Sequence, residues 1–355
     1  MPHGRGPEID PGLPGYAWVA RIVESVERRA GTATRWNGKL CKEVDHQYAG
    51  SADDDGTLTI GEHDVMIPAE HAYTNSNLTD EDIRKAVDAA ATVCHEARHL
   101  SSPLSDPHRP GAHPTRDAPG VALDEGLVER WTHANLGAVI HDIDMNRDVP
   151  GSSLQQPKDA YPAYTAATLR LVSDLAAATG RRPRDLEQQL LTCDASQRWN
   201  LMADMAIDHN LSGLMPEADR EAVRARFANA LRADFGEARE IHMSDGTEDV
   251  KRQQGTAIGA RTIGNLNRDL EELADEHREG RLTPSHGLGA RGQSITVTGP
   301  NQGGGSHRPT LHPHTVLAGQ SPAAGAAVPP AQVPGVTSRG VSSARSPGRD
   351  RPGRS

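Results

Sequence analysis

The chain reads Val93-Cys-His-Glu-Ala-Arg-His-Leu100, and His95, Glu96 and His99 within it form the pattern H-E-x-x-H. Two histidines four residues apart share one face of a helix, so both rings can aim a nitrogen at a single Zn²⁺ ion. Glu96 sits beside the first of them, where its carboxylate can take a proton from a water activated by the metal. The chemistry implied is metal-assisted hydrolysis. The plain alternative is a pair of helix-surface histidines with a solvated glutamate, so the surrounding elements have to decide.

A catalytic zinc takes three protein ligands and keeps a fourth position for water. The best supplier of the third is Glu125, in the stretch Leu123-Asp-Glu-Gly-Leu-Val-Glu129, with 25 residues between His99 and Glu125. Asp106, His108 and His113, in the intervening segment, are the other candidates. The metzincin pattern H-E-x-x-H-x-x-G-x-x-H is absent, because Ser102 stands in the place of its glycine and Ser105 in that of its histidine. With H-E-x-x-H followed on a later helix by Asp-Glu-Gly-Leu, the chain resembles the gluzincin group of zinc metallopeptidases. The interval is longer than in many members of that group, and the proline-rich segment 103–119 accounts for the excess.

The resemblance covers residues 79–135 and, beyond them, only the general order of hairpin, active helix, glutamate helix and helical C-terminal part. It implies a zincin-like α+β fold, Zn²⁺ held by His95, His99 and Glu125, Glu96 as general base, and a peptide or protein substrate. It further implies that Glu129, one turn after Glu125, orients a histidine ligand. A tyrosine or histidine from the helical part would stabilise the oxyanion; Tyr161 and Tyr164 are the candidates, with His133 and His141 behind them. By the same resemblance, a hairpin over 57–67 would lie beside the substrate as a pairing edge.

The elements that must position these residues follow from local patterns. Thr79 can cap a helix that begins with Asp80, Glu81 and Asp82 at its positive end and runs to about Leu100. Ile83, Val87, Ala90, Ala91 and Cys94 form its apolar stripe, which makes Cys94 a core residue and no ligand. Five prolines between Pro103 and Pro119 exclude helix from the next segment, and a second helix is expected from Val121 to about Leu136. Val19, Ile22, Val23 and Val26 predict a helix over 16–30, and further helical patterns cover 158–178, 183–193, 197–209, 216–236 and 262–279. Thr57–Ile60 and Val65–Ile67, around the turn Gly61–Asp64, read as the one hairpin, so the sheet is small.

Composition narrows the class. Aromatic residues are only 3% of the chain, so alanine, leucine and valine build the core and close helix packing is favoured. Arginine vastly outnumbers lysine, in the manner of a GC-rich bacterial genome. Residues 281–355 carry a net charge of +7 and residues 1–280 carry −17, an acidic body that argues against nucleic acid as a partner. The tail 281–355, rich in Gly, Pro, Ser and Arg, cannot bury enough apolar surface to order itself and is expected to be disordered. Residues 1–14 read as a flexible leader, leaving 15–280 as one catalytic domain. No segment is long and apolar enough to span a membrane, no signal peptide is evident, and three scattered cysteines suggest no disulfide framework, so a cytoplasmic protein is expected, with export by a route that needs no cleaved signal as the alternative. Ser51–Glu62 matches part of a calcium-binding EF-hand loop, but its first position is serine and its flanks are strand-like; a polar turn is the simpler reading. The rival function is a non-catalytic, zinc-stabilised interaction module or adaptor, which would have no use for Glu96.

Overall fold

Apolar residues at helical spacing account for most of what forms. In the computed structural model, residues 5–43 and 49–278 are described, and they build a mostly helical α+β structure around a small mixed sheet. The expected disordered tail 281–355 lies outside the described residues. Helix α1 (Pro14–Ala30) buries Trp18, Val19, Ile22, Val23 and Val26 and ends at Gly31, whose φ of 69° lets the chain turn away. The sheet has the order β1-β2-β4-β3, from strands β1 (Arg5–Glu8), β2 (Leu40–Glu43), β3 (Gly50–Ala52) and β4 (Leu58–Gly61). Strands β2 and β4 are parallel, and the outer pairs are antiparallel.

Two expectations are corrected here. The segment 1–14, read as a flexible leader, contains β1, which pairs with β2 through its backbone, while Ile9 is buried and α1 already begins at Pro14. The hairpin is also displaced. β4 is buried at all four positions and pairs with β2 on one side and β3 on the other, so no strand over 65–67 can add to it. Instead the chain turns through a π-helical segment, Glu62–Met66, into α2 (Ile67–Thr74), where Pro68 stands in the first turn and needs no backbone donor. The real hairpin is 50–61. Its acidic turn is spent on arginines, Asp53 and Asp55 holding Arg5 at 2.8 and 2.9 Å and Asp54 pairing with Arg116.

The two helices that matter most lie next to each other. Helix α3 (Asp80–Leu100) starts with a complete capping box, in which the Asp82 amide donates to Thr79 Oγ1 and the Thr79 amide donates to Asp82 Oδ2. Helix α4 (Ala118–Asp142) is capped by Asp117, which accepts from the Gly120 amide, with Pro119 in its first turn. Between them the proline-rich segment is irregular, as expected, and pinned to the helical part by the His113 amide donating to Ser196 O. Behind the short α5 (Met145–Asp148), the C-terminal part comprises α6 (Pro162–Ala178), α7 (Pro183–Thr192), α8 (Arg198–Asn210), α9 (Arg220–Ala233), α10 (Glu237–Met243) and α11 (Glu248–Arg278). Among the described residues no helix is long and apolar enough to cross a membrane.

Helix α6 crosses α4 at Gly126, where an added Cβ would stand 2.2 Å from Thr168 Oγ1 and 2.7 Å from the Tyr164 carbonyl oxygen. The backbone carbonyl cannot swing aside, so Gly126→Ala is expected to lower stability by about 2–3 kcal/mol in urea unfolding, as overpacking does. Thr79→Ala, which removes only a cap, is expected to cost about 1 kcal/mol in the same measurement.

Candidate metal centre

The helical spacing of four residues places His95 and His99 one above the other on α3, with ring centroids 4.8 Å apart. Glu125 reaches them from α4. His95 Nε2 lies 3.0 Å from Glu125 Oε2 and 3.0 Å from His99 Nε2, and His99 Nε2 lies 3.5 Å from the same carboxylate oxygen. Ligand atoms bound tetrahedrally at about 2.1 Å stand roughly 3.4 Å from one another, so this triangle has the size a single metal ion requires. It is the one group of three or more such donors among the described residues.

The opposite ring nitrogens decide what the triangle can hold. His95 Nδ1 is 2.8 Å from Glu129 Oε2, and His99 Nδ1 is 3.3 Å from Asp124 Oδ2. Each carboxylate accepts an Nδ1 proton, which fixes the ring and leaves the Nε2 lone pair pointing into the triangle. Three lone pairs then meet in the interior and need a cation between them. A proton can serve when no metal does. Burial disfavours the imidazolium of His99, but Glu125 and Asp124 outweigh it and push this group up to about 10. Burial likewise works against ionised Glu125, but the two histidines reverse this and bring it down to about 2. Glu129 is itself saturated, accepting from His95 and, on Oε1, from His133 Nε2 at 3.1 Å and the Ala160 amide at 2.9 Å.

Glu96 is different. It is 8% exposed, burial raises its carboxyl above the usual range, and among the described residues it accepts no hydrogen bond. Strand β3 lies directly on it: a Cβ at Gly50 would stand 2.9 Å from Glu96 Cγ and 3.0 Å from Thr92 Cγ2, so glycine lets the strand approach this closely. The site therefore combines a three-donor nest with a buried carboxylate that, among the described residues, accepts no hydrogen bond.

Of the other residues singled out in the sequence, Tyr161 stands at the centre, its ring stacked on His95 at 5.4 Å between centroids. Tyr164 is stacked on Tyr161 at 5.7 Å but is only 3% exposed, its hydroxyl pushed up by burial. His133 is occupied with Glu129, and His141 is 85% exposed at the far end of α4. The alternative third ligands do not converge on the pair. His113 Nε2 meets Asn200 Oδ1 at 3.0 Å, and Asp106 and His108 are exposed loop residues. Cys94 is fully buried and its thiol is pushed up to about 12 by burial, in keeping with a core role.

Sequence reasoning missed two participants. Asp124 adjoins Glu125, so its proximity was on view, but its partner His99 was not assigned to it. His242, on α10, stacks on Tyr161 at 5.3 Å and on Tyr164 at 4.7 Å, and is held neutral, down to about 4, by burial and by Lys251. No local pattern marks it, since α10 is only seven residues long. Comparison of the chain with protein-family models, curated proteins and solved structures gives no match.

Elemental analysis is expected to give one metal ion per chain in wild type and in Glu96→Gln, and much less in Glu125→Ala. Glu129→Ala, which frees the His95 ring, is expected to weaken metal affinity about 10–100-fold. Because metal-free His99 keeps its proton well above 6.5, up to about 10, metal uptake near neutral pH must expel it. Affinity is therefore expected to fall as pH is lowered, and calorimetric titration in two buffers of different ionisation enthalpy should show proton release.

Proposed function

We propose that the chain is a zinc-dependent peptidase of the gluzincin kind, which hydrolyses peptide bonds. The observation that carries this reading is Glu96. A buried carboxylate beside the donor triangle, with no hydrogen-bond partner among the described residues, has no structural purpose and fits a general base. Two imidazoles and one carboxylate are a ligand set that suits Zn²⁺, with three protein ligands leaving a position for chemistry. The metal-binding residues would be His95, His99 and Glu125. When bound, the ion supplies Lewis acidity, lowering the pKa of water and polarising a carbonyl.

The chain's own residues supply the rest. Glu129 and Asp124 hold the ligand rings in register from behind. Glu96 takes a proton from the attacking water at a carboxylate oxygen and delivers it to the departing amine nitrogen. Its burial raises the carboxyl toward the range in which it can both accept and release that proton. Tyr161, against His95, is better placed than the buried Tyr164 to donate its hydroxyl proton to the developing oxyanion. The substrate backbone would pair with β3, which is the last strand of the sheet on this side and rests on Glu96. That role falls to Gly50–Ala52 and not to the expected hairpin 57–67, because β4 is an inner strand. Free Cys41, Cys94 and Cys193 suit action on peptides or proteins in a reducing cytoplasm.

The test compares zinc-loaded wild type with Glu96→Gln on quenched fluorescent casein and on a randomised peptide library. Wild type is expected to cleave, and Glu96→Gln to keep its zinc while losing about 100-fold or more of the rate. Equal cleavage by both proteins, or none by the zinc-loaded wild type, would overturn the proposal.

A further inference from the structure

Two arginines are sealed into the interior beside the ligand helices. Arg98, on α3, is 0% exposed, and Arg198, at the start of α8, is 2% exposed. A buried guanidinium without compensation is strongly destabilising, so what these two reach is informative. Both reach the end of α7. Arg98 Nη2 donates to Leu191 O at 3.3 Å, and Arg198 Nε donates to Leu190 O at 2.8 Å. These carbonyls belong to the last turn of α7, where helical amide partners run out and the helix carries its negative end. Arg98 also lies over the Trp131 ring, 5.4 Å from its centroid, and makes no ion pair among the described residues.

Arg198 makes one. Its Nη1 donates to Asp124 Oδ1 at 2.5 Å, while Asp124 Oδ2 faces His99 Nδ1 at 3.3 Å. A line of contacts thus runs from the α7 carbonyl through Arg198 and Asp124 to His99 and the donor triangle. We propose that Arg198 is a positioning residue for the metal centre, holding Asp124 in the orientation that fixes the ring of His99.

The geometry explains why an arginine is needed. Asp124 and Glu125 are neighbours in sequence, and an unanchored Asp124 would be free to turn away from His99 and from its charged neighbour. The rigid fork of a guanidinium can hold a carbonyl with Nε and a carboxylate with Nη1 at once, which fixes its plane. A lysine offers one point of charge and cannot span both. The arrangement repeats, with different parts, at the other ligand: Glu129 is held behind His95 by His133 and the Ala160 amide. Each ligand histidine thus has a carboxylate behind it, and each carboxylate has its own anchor.

This inference rests on the reading of His95, His99 and Glu125 as metal ligands, and the experiment separates the two. Zinc dissociation constants are measured by competition with a chromophoric chelator for wild type, Arg198→Met, Asp124→Asn and the double variant, with circular dichroism of the metal-free forms. Arg198→Met is expected to weaken zinc binding about 10–100-fold, with the double variant no weaker than Asp124→Asn alone. Wild-type affinity in folded Arg198→Met overturns the proposal, as do losses from the two substitutions that multiply in the double variant. Failure of wild type itself to bind zinc overturns the metal reading beneath it. If Arg198→Met does not fold, Arg198→Lys carries the test. It keeps the charge but not the span, so a several-fold loss is expected, and unchanged affinity overturns the proposal.

Discussion

His95 Nε2, His99 Nε2 and Glu125 Oε2 meet within 3.5 Å of one another in the interior, and only a cation can hold three such atoms together there. Much of the surrounding structure answers that constraint. Alanines at 86, 89, 90, 91 and 97 are buried on α3, which lets its neighbours close in. Glycine at 126 lets α6 press onto α4. Charge follows the same logic. In a medium of low polarity every buried carboxylate needs a partner, and Glu129, Asp124 and Glu125 each have one or more. Glu96, among the described residues, accepts no hydrogen bond, and a buried carboxylate of that kind is a candidate for function.

Much of this was legible in the sequence where the signals were local. Helix α3 announces itself three times within 21 residues, by cap, stripe and histidine spacing, and the structure places it where these signals do. Glu125 was found because its neighbours form a short motif. Tyr161 was found by resemblance, although its contact with His95 is face to face and not something spacing can reveal.

The rest depended on partners distant in the chain. Asp124 looks like any acidic residue near a helix start until Arg198, from another helix, arrives beside it. His242 sits on a seven-residue helix with no periodicity to read. Strand β1, with the sequence Arg-Gly-Pro-Glu, has no apolar alternation; it is a strand because β2 offers it an edge. Val65-Met-Ile67 shows the reverse error. Its residues favour strand, but both edges of β4 are taken and Pro68 opens a helix. Propensity yields to context in short segments of this kind.

The anchors also lie later in the chain than what they anchor. His95, His99 and Glu125 are all made before His133, Ala160, Leu190 and Arg198. On the ribosome, where the N-terminal part emerges first, the three donors leave the exit tunnel as a loosely oriented set. The carboxylate behind His99 gains its guanidinium partner only once α8 has been synthesised. The order of the anchors along the chain thus acts as a timer, delaying a fixed donor nest until α8 has followed the two helices that carry the donors.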